Sequence, residues 1–180
     1  MKNIKDMTQA ELAAYIDTHL RSLGIAVILS GGAAVAVYSD HKYVSKDLDF
    51  IGRFMIDHKQ IKEAMDQLGF QKKGKFYFHQ NTPYYVEFLS GPASIGSEPI
   101  LEERELEFST GTLRIISPTD AVKDRLASYY FWSDLQGLDQ AVLIAQSNDI
   151  DIDNVESWST KQGYRGQFDE FRRLVRSGEK

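Results

Sequence analysis

An α+β fold is what this sequence predicts: a mixed β-sheet flanked by helices, followed by a small C-terminal helical subdomain. Three observations carry it. Short apolar runs bounded by glycines, such as Ile25 to Leu29, alternate with amphipathic helical stretches near the start of the chain. Aromatic and β-branched segments pair about turn residues between positions 75 and 116, and from Pro118 onward the periodic segments are helical. The boundary falls at Ser117-Pro118, dividing residues 1–117 from 118–180.

Thr8-Gln9-Ala10-Glu11 has the form of a capping box, and Leu12, Ile16, Leu20 and Leu23 give the helix behind it one apolar face. Gly24 ends that helix, and Ile25 to Leu29 is short and apolar enough for a buried strand. After Gly31-Gly32, the small residues from Ala33 to Tyr38 suit a helix lying close to a sheet. Asp47 to Ile51 is the next strand, and Asp57 caps a helix that runs to Leu68 and stops at Gly69. Lys75 to His79 and Tyr84 to Leu89 form a hairpin about Gln80 to Pro83, and Ser90 to Glu103 is loop-like. Glu105 to Ser109 and Thr112 to Ile116 make a second hairpin about Thr110-Gly111. Ser117-Pro118-Thr119-Asp120 then starts a series of short helices, Ala121 to Phe131, Ser133 to Ala145, Ile152 to Lys161 and Phe168 to Val175.

Composition narrows the function classes. A hydrophobic fraction of 42% with 26% charged residues is ordinary for a globular chain, and 180 residues suffice for a substantial core. The net charge of −5 does not advertise long nucleic acid, although a local basic patch is compatible with it. Zero cysteines exclude disulfides and thiolate metal sites, no apolar run approaches a membrane span, and no signal peptide is evident, so a cytoplasmic location is expected. His19, His41, His58 and His79 lack ligand spacing and receive no metal role. Without a G-x-S-x-G elbow or a lysine after the glycines, serine-hydrolase and P-loop chemistry fall away.

The chemistry concentrates in Asp47-Leu48-Asp49-Phe50. In a strand, Asp47 and Asp49 project from one face while Leu48 and Phe50 enter the core. Paired carboxylates in an interior segment call for a counter-charge, and hard oxygen donors favour Mg²⁺ over zinc or copper; a solvated edge strand is the bland alternative. Gly31-Gly32 between a buried strand and a helix lets backbone N–H groups approach an anion, with the Ser30 hydroxyl as a further donor, or else makes an ordinary tight turn. Glu87 is a lone acid in the apolar run Tyr84 to Leu89, either a third ligand or an outward-facing residue. Lys123 is either a solvated helical lysine or a cation for a triphosphate, and Asp134 reads first as a helix cap.

Together these residues resemble the nucleotidyltransferase superfamily with the DNA polymerase beta type core, and more narrowly its minimal AbiEii-like branch, the toxins of type IV toxin–antitoxin systems. The resemblance rests on Ser30-Gly31-Gly32, the helix through Tyr38, and acid, apolar, acid, apolar at Asp47 to Phe50. Ser45-Lys46, the strand holding Glu87, and Ile116 to Asp120 leading to Lys123 support it, over roughly Ile25 to Ala145. It implies a nucleotidyltransferase-like fold and transfer of a nucleoside monophosphate from an NTP to a hydroxyl on RNA, protein or a small molecule. It implies Ser30, Gly31 and Gly32 at the nucleotide phosphates, Lys46 or Lys123 at the triphosphate, and Asp47, Asp49 and Glu87 as Mg²⁺ ligands and catalytic acids. Implied partners are an NTP, tRNA or protein as acceptor, and a cognate antitoxin, with no membrane.

Two departures keep a second reading open. Many members of the superfamily carry aspartate where Glu87 stands, and Trp132-Ser133 replaces the arginine that opens the branch's closing acidic helix. A catalytically inactive nucleotidyltransferase-like module that binds a nucleotide or a protein, with a regulatory role, is that alternative.

Overall fold

The computed structural model describes residues 2–40, 42–100 and 102–178, so His41 lies outside the described residues. After a single 3₁₀ turn at Ile4–Asp6 the chain forms α1 (Gln9–Ser22), β1 (Val27–Ser30), α2 (Gly31–Tyr38), β2 (Asp47–Gly52) and α3 (His58–Gln67). β3 (Gln71–Lys73), β4 (Phe76–Phe78) and β5 (Tyr85–Leu89) follow, then β6 (Ser94–Ile95), β7 (Glu98–Pro99), β8 (Glu103–Phe108) and β9 (Gly111–Ile116). Four helices close the chain: α4 (Pro118–Trp132), α5 (Leu135–Ser147), α6 (Ile152–Lys161) and α7 (Arg165–Ser177).

The helix starts are made by the residues the sequence offers for them. The Thr8 hydroxyl accepts from Glu11 N–H at 3.3 Å, and the Glu11 carboxylate accepts from Thr8 N–H at 2.8 Å. Asp57, Ser117, Asp134 and Asp151 each accept a backbone N–H of the helix they precede. Each such cap contributes about 1 kcal/mol. Leu12, Ile16 and Leu20 are completely buried, which fixes the inward face of α1.

Seven strands form one mixed sheet in the order β3-β4-β5-β2-β1-β9-β8. β1 runs parallel to β9 and β2 parallel to β5, while the remaining neighbours are antiparallel. α1 packs against β1, β8, β9 and α3, and α2 against β1, β2, α4 and α5. Leu48 and Phe50 are fully buried, and the Phe50 ring stacks on Phe88 at 5.7 Å with Tyr77 edge-on to Phe88 at 5.5 Å. One buried cluster runs from Leu12 through the sheet to Trp158, Phe168 and Phe171, so the C-terminal helices share the core of the sheet.

Three elements differ from expectation. Ser90 to Glu103 is not wholly loop, because β6 and β7 pair as a small separate hairpin. β3 is an additional edge strand whose three residues are all exposed, and Lys75 stands in the β3–β4 turn. The helix after β1 begins at Gly31 itself, with no intervening turn.

Candidate active site

β1 delivers the chain straight into α2, and Gly31 makes that possible. Its φ is +63°, and a Cβ there would collide with the Asp49 carboxylate. Gly32 is similarly enclosed, since a Cβ would sit 3.0 Å from the Ser45 hydroxyl and 3.4 Å from the Tyr43 ring. The start of α2 thus lies against the acids of β2. Its first N–H groups have no intrahelical partner, which makes this end attractive to an anion.

Directly opposed residues of neighbouring strands share a face. Ser30 is opposite Asp49, Asp49 opposite Glu87, Asp47 opposite Tyr85. The carboxylates of Asp47, Asp49 and Glu87 are therefore on one face, and Leu48, Phe50 and Val86 fill the other. Burial, then the charges of Asp47 and Glu87, push the Asp49 carboxyl up to about 7, with Arg125 opposing the shift. Burial followed by the same three acids also raises the Tyr85 hydroxyl.

The remaining contacts hold this group in place. The Ser45 hydroxyl donates to the Asp47 carboxylate, and Gln9 donates at 3.1 Å to the Ser45 and Asp47 carbonyls. Ser30 donates to the Asp49 carbonyl at 3.3 Å, so its hydroxyl is engaged within the protein. Glu87 is ion-paired to Lys75 at 2.9 Å. Among the described residues no three His, Cys, Asp or Glu side chains stand ready to hold a metal. The donor chemistry nevertheless fits Mg²⁺ at Asp47 and Asp49: hard oxygens, mutual repulsion, and a carboxyl driven toward protonation by burial and by its acidic neighbours. Glu87 meets Lys75 through one carboxylate oxygen, a pairing that competes with its joining them.

Arg125 is the site residue that the sequence reading missed. Burial opposes its charge, and Asp124, Asp49 and Tyr43 more than offset that, so its pKa is raised. Asp124 accepts from it at 2.6 and 3.0 Å, and the Gln140 side-chain carbonyl at 3.3 Å. A signal existed, because Arg125 follows Ala121 by four and Val122 by three on the inward stripe of α4. Lys123, two residues away, points to the other flank. It lies 3.7 Å from Asp120 and 3.8 Å from Glu98 beside a cavity of about 220 Å³ that also includes Glu102 and Asp151. Lys46 is exposed and makes no ion pair among the described residues. Asp134 caps α5, as its position suggests.

The fold has counterparts of known structure. The chain is similar to an antigenic nucleotidyltransferase-like protein from Paracoccidioides brasiliensis, at 16% identity and TM-score 0.53 over 76% of this chain and 77% of that one. It is also similar to ANT(2'')-Ia, solved in complex with adenylyl-2''-tobramycin, at 13% identity and TM-score 0.53 over 91% and 98% of the two chains. A solution structure of the same antibiotic-resistance factor aligns at 12% identity and TM-score 0.51, over 91% and 92%. No protein-family model matches the sequence, and no curated protein matches it. What is shared is the nucleotidyltransferase-like fold, as the sequence motifs imply.

Proposed function

We propose that this protein is a Mg²⁺-dependent nucleotidyltransferase that moves a nucleoside monophosphate from an NTP to a hydroxyl acceptor. The observation that carries the reading is the register placing Asp47, Asp49 and Glu87 on one sheet face against the glycine-started helix α2, with Arg125 as the nearby cation. Structural similarity to ANT(2'')-Ia, which is seen with an adenylylated product, supports the same class of reaction.

Asp47 and Asp49 would hold Mg²⁺, whose chemistry there is to neutralise phosphate charge. The N–H groups of Gly31 and Gly32 and the Arg125 guanidinium receive the triphosphate, with Lys46 or Lys123 assisting there as the resemblance implies. Glu87, released from Lys75, takes the proton of the acceptor hydroxyl. The acceptor oxygen then bonds to the α-phosphorus, the bond from that phosphorus to the bridging oxygen breaks, and pyrophosphate leaves with the electron pair. Ser45 keeps Asp47 oriented throughout.

The AbiEii-like motifs extend the proposal to a toxin-like role with tRNA or a protein as acceptor, an antitoxin as partner and the cytoplasm as the place of action. The run from Gly32 to Tyr38, Ser45-Lys46 and the segment leading to Lys123 are what support that extension. The second reading, a nucleotide-binding module without activity, draws on the Lys75–Glu87 pair, which occupies the third acid.

Calorimetry with each Mg·NTP tests the binding half. Arg125→Met weakens affinity about tenfold or more, as expected for a lost charged hydrogen bond. Asp47→Asn abolishes the Mg²⁺ dependence of binding. Wild-type affinity and metal dependence in both variants would contradict the assignment.

A further inference from the structure

The acid-bearing face does not end at Glu87. Glu87 is opposite Phe76 on β4, which is opposite Lys73 on β3, and Tyr85 is opposite Phe78. The face thus continues from the carboxylates into an aromatic patch and then a basic edge. Tyr85 lies 5.1 Å from Phe76 and 5.6 Å from Phe78, centroid to centroid, and Phe76 meets Phe78 at 6.2 Å. These rings are only partly covered, Phe78 being 37% exposed, whereas Tyr77, on the same strand but facing the core, is buried. Lys73 reaches over the Phe78 ring at 5.9 Å, and Lys75 over Phe76 at 4.8 Å while holding Glu87.

In-line displacement places the entering hydroxyl and the departing pyrophosphate on opposite sides of the α-phosphorus. The glycine-started helix continues directly from β1, on that strand's side of the acids, and the triphosphate is received there. The entering hydroxyl therefore comes from the β4–β3 side, over the rings. Aromatic faces accept planar bases, and lysines at their border accept phosphate. The same lysines repel a polycation.

We infer that Phe76, Phe78 and Tyr85, bordered by Lys73 and Lys75, form the acceptor subsite, and that the acceptor is a nucleoside phosphate, either a free nucleotide or the end of a single strand. The inference rests on the nucleotidyl-transfer reading for the direction of entry. Lys75 then has two partners, Glu87 before the acceptor arrives and the acceptor phosphate afterwards, which frees Glu87 for the hydroxyl.

The test is fluorescence anisotropy with a short fluorescein-labelled single-stranded RNA, with and without Mg²⁺ and a non-hydrolysable NTP analogue filling the donor site. Lys73→Glu and Phe78→Ala should each weaken RNA binding about tenfold while leaving Mg·NTP affinity unchanged. Lys73 is exposed on an edge strand, so its replacement reports on charge with the fold intact. With the donor site filled, displacement of RNA by AMP identifies a free nucleotide as sufficient, and failure of AMP to displace it identifies a strand end. Wild-type RNA affinity in both variants, or preferential binding of spermine to the wild type, would overturn the inference. A failure of Mg·NTP analogue binding with RNA binding intact would count against the transfer reading instead.

Discussion

Burial and two flanking carboxylates hold Asp49 at about 7, and that strain has a measurable cost. Below its ordinary value of 3.8 the group is neutral in both the folded and unfolded chain and contributes nothing. As pH rises through the interval to about 7, the unfolded chain gives up the proton while the folded one keeps it, so stability falls; above 7 the penalty is complete. In EDTA, Asp49→Asn is therefore expected to match the wild type near pH 4 and to exceed it at pH 8 by on the order of 2–4 kcal/mol in urea unfolding. A pH-independent gap would contradict the burial argument. The placement of Asp47 and Asp49 on one face was legible in the sequence because strand alternation is local. The parts played by Lys75 and Arg125 were not, because each depends on a contact between segments brought together only by the fold.

At the scale of elements, caps and apolar periods located most helices and strands. They failed where no local pattern exists: β3 has three exposed polar residues and is a strand only because β4 pairs with it. The parallel pairing of β2 with β5 likewise depends on chain topology, yet it alone sets Glu87 opposite Asp49. The join between α1 and β9 is equally invisible locally. Asp17, fully buried, accepts from the Arg114 backbone at 2.7 Å and from its guanidinium at 2.5 Å. Removing one partner leaves the other charge buried and unpaired, so Asp17→Ala is expected to cost about 3–5 kcal/mol. Asp17→Leu/Arg114→Met should recover most of that loss; denaturant midpoints of the single and double variants check both.

At the scale of the whole molecule, the α+β architecture follows from alternating strand and helix patterns and is shared with structures only 12–16% identical. No helix among the described residues is long and apolar enough to cross a membrane. A net charge of −5 coexists with lysines gathered at the β3–β4 edge, so average charge hides a local arrangement beside the acids. The central claim is that this arrangement transfers a nucleoside monophosphate. The most direct measurement incubates the protein with each NTP labelled at the α-phosphate, Mg²⁺, and total tRNA or cell lysate, and compares it with Asp47→Asn/Asp49→Asn. Label should pass to an acceptor with release of pyrophosphate, only with Mg²⁺, and fall by about 10³-fold or more in the double variant. Equal labelling by the double variant, or Mg·NTP binding without transfer from any NTP, would contradict the account.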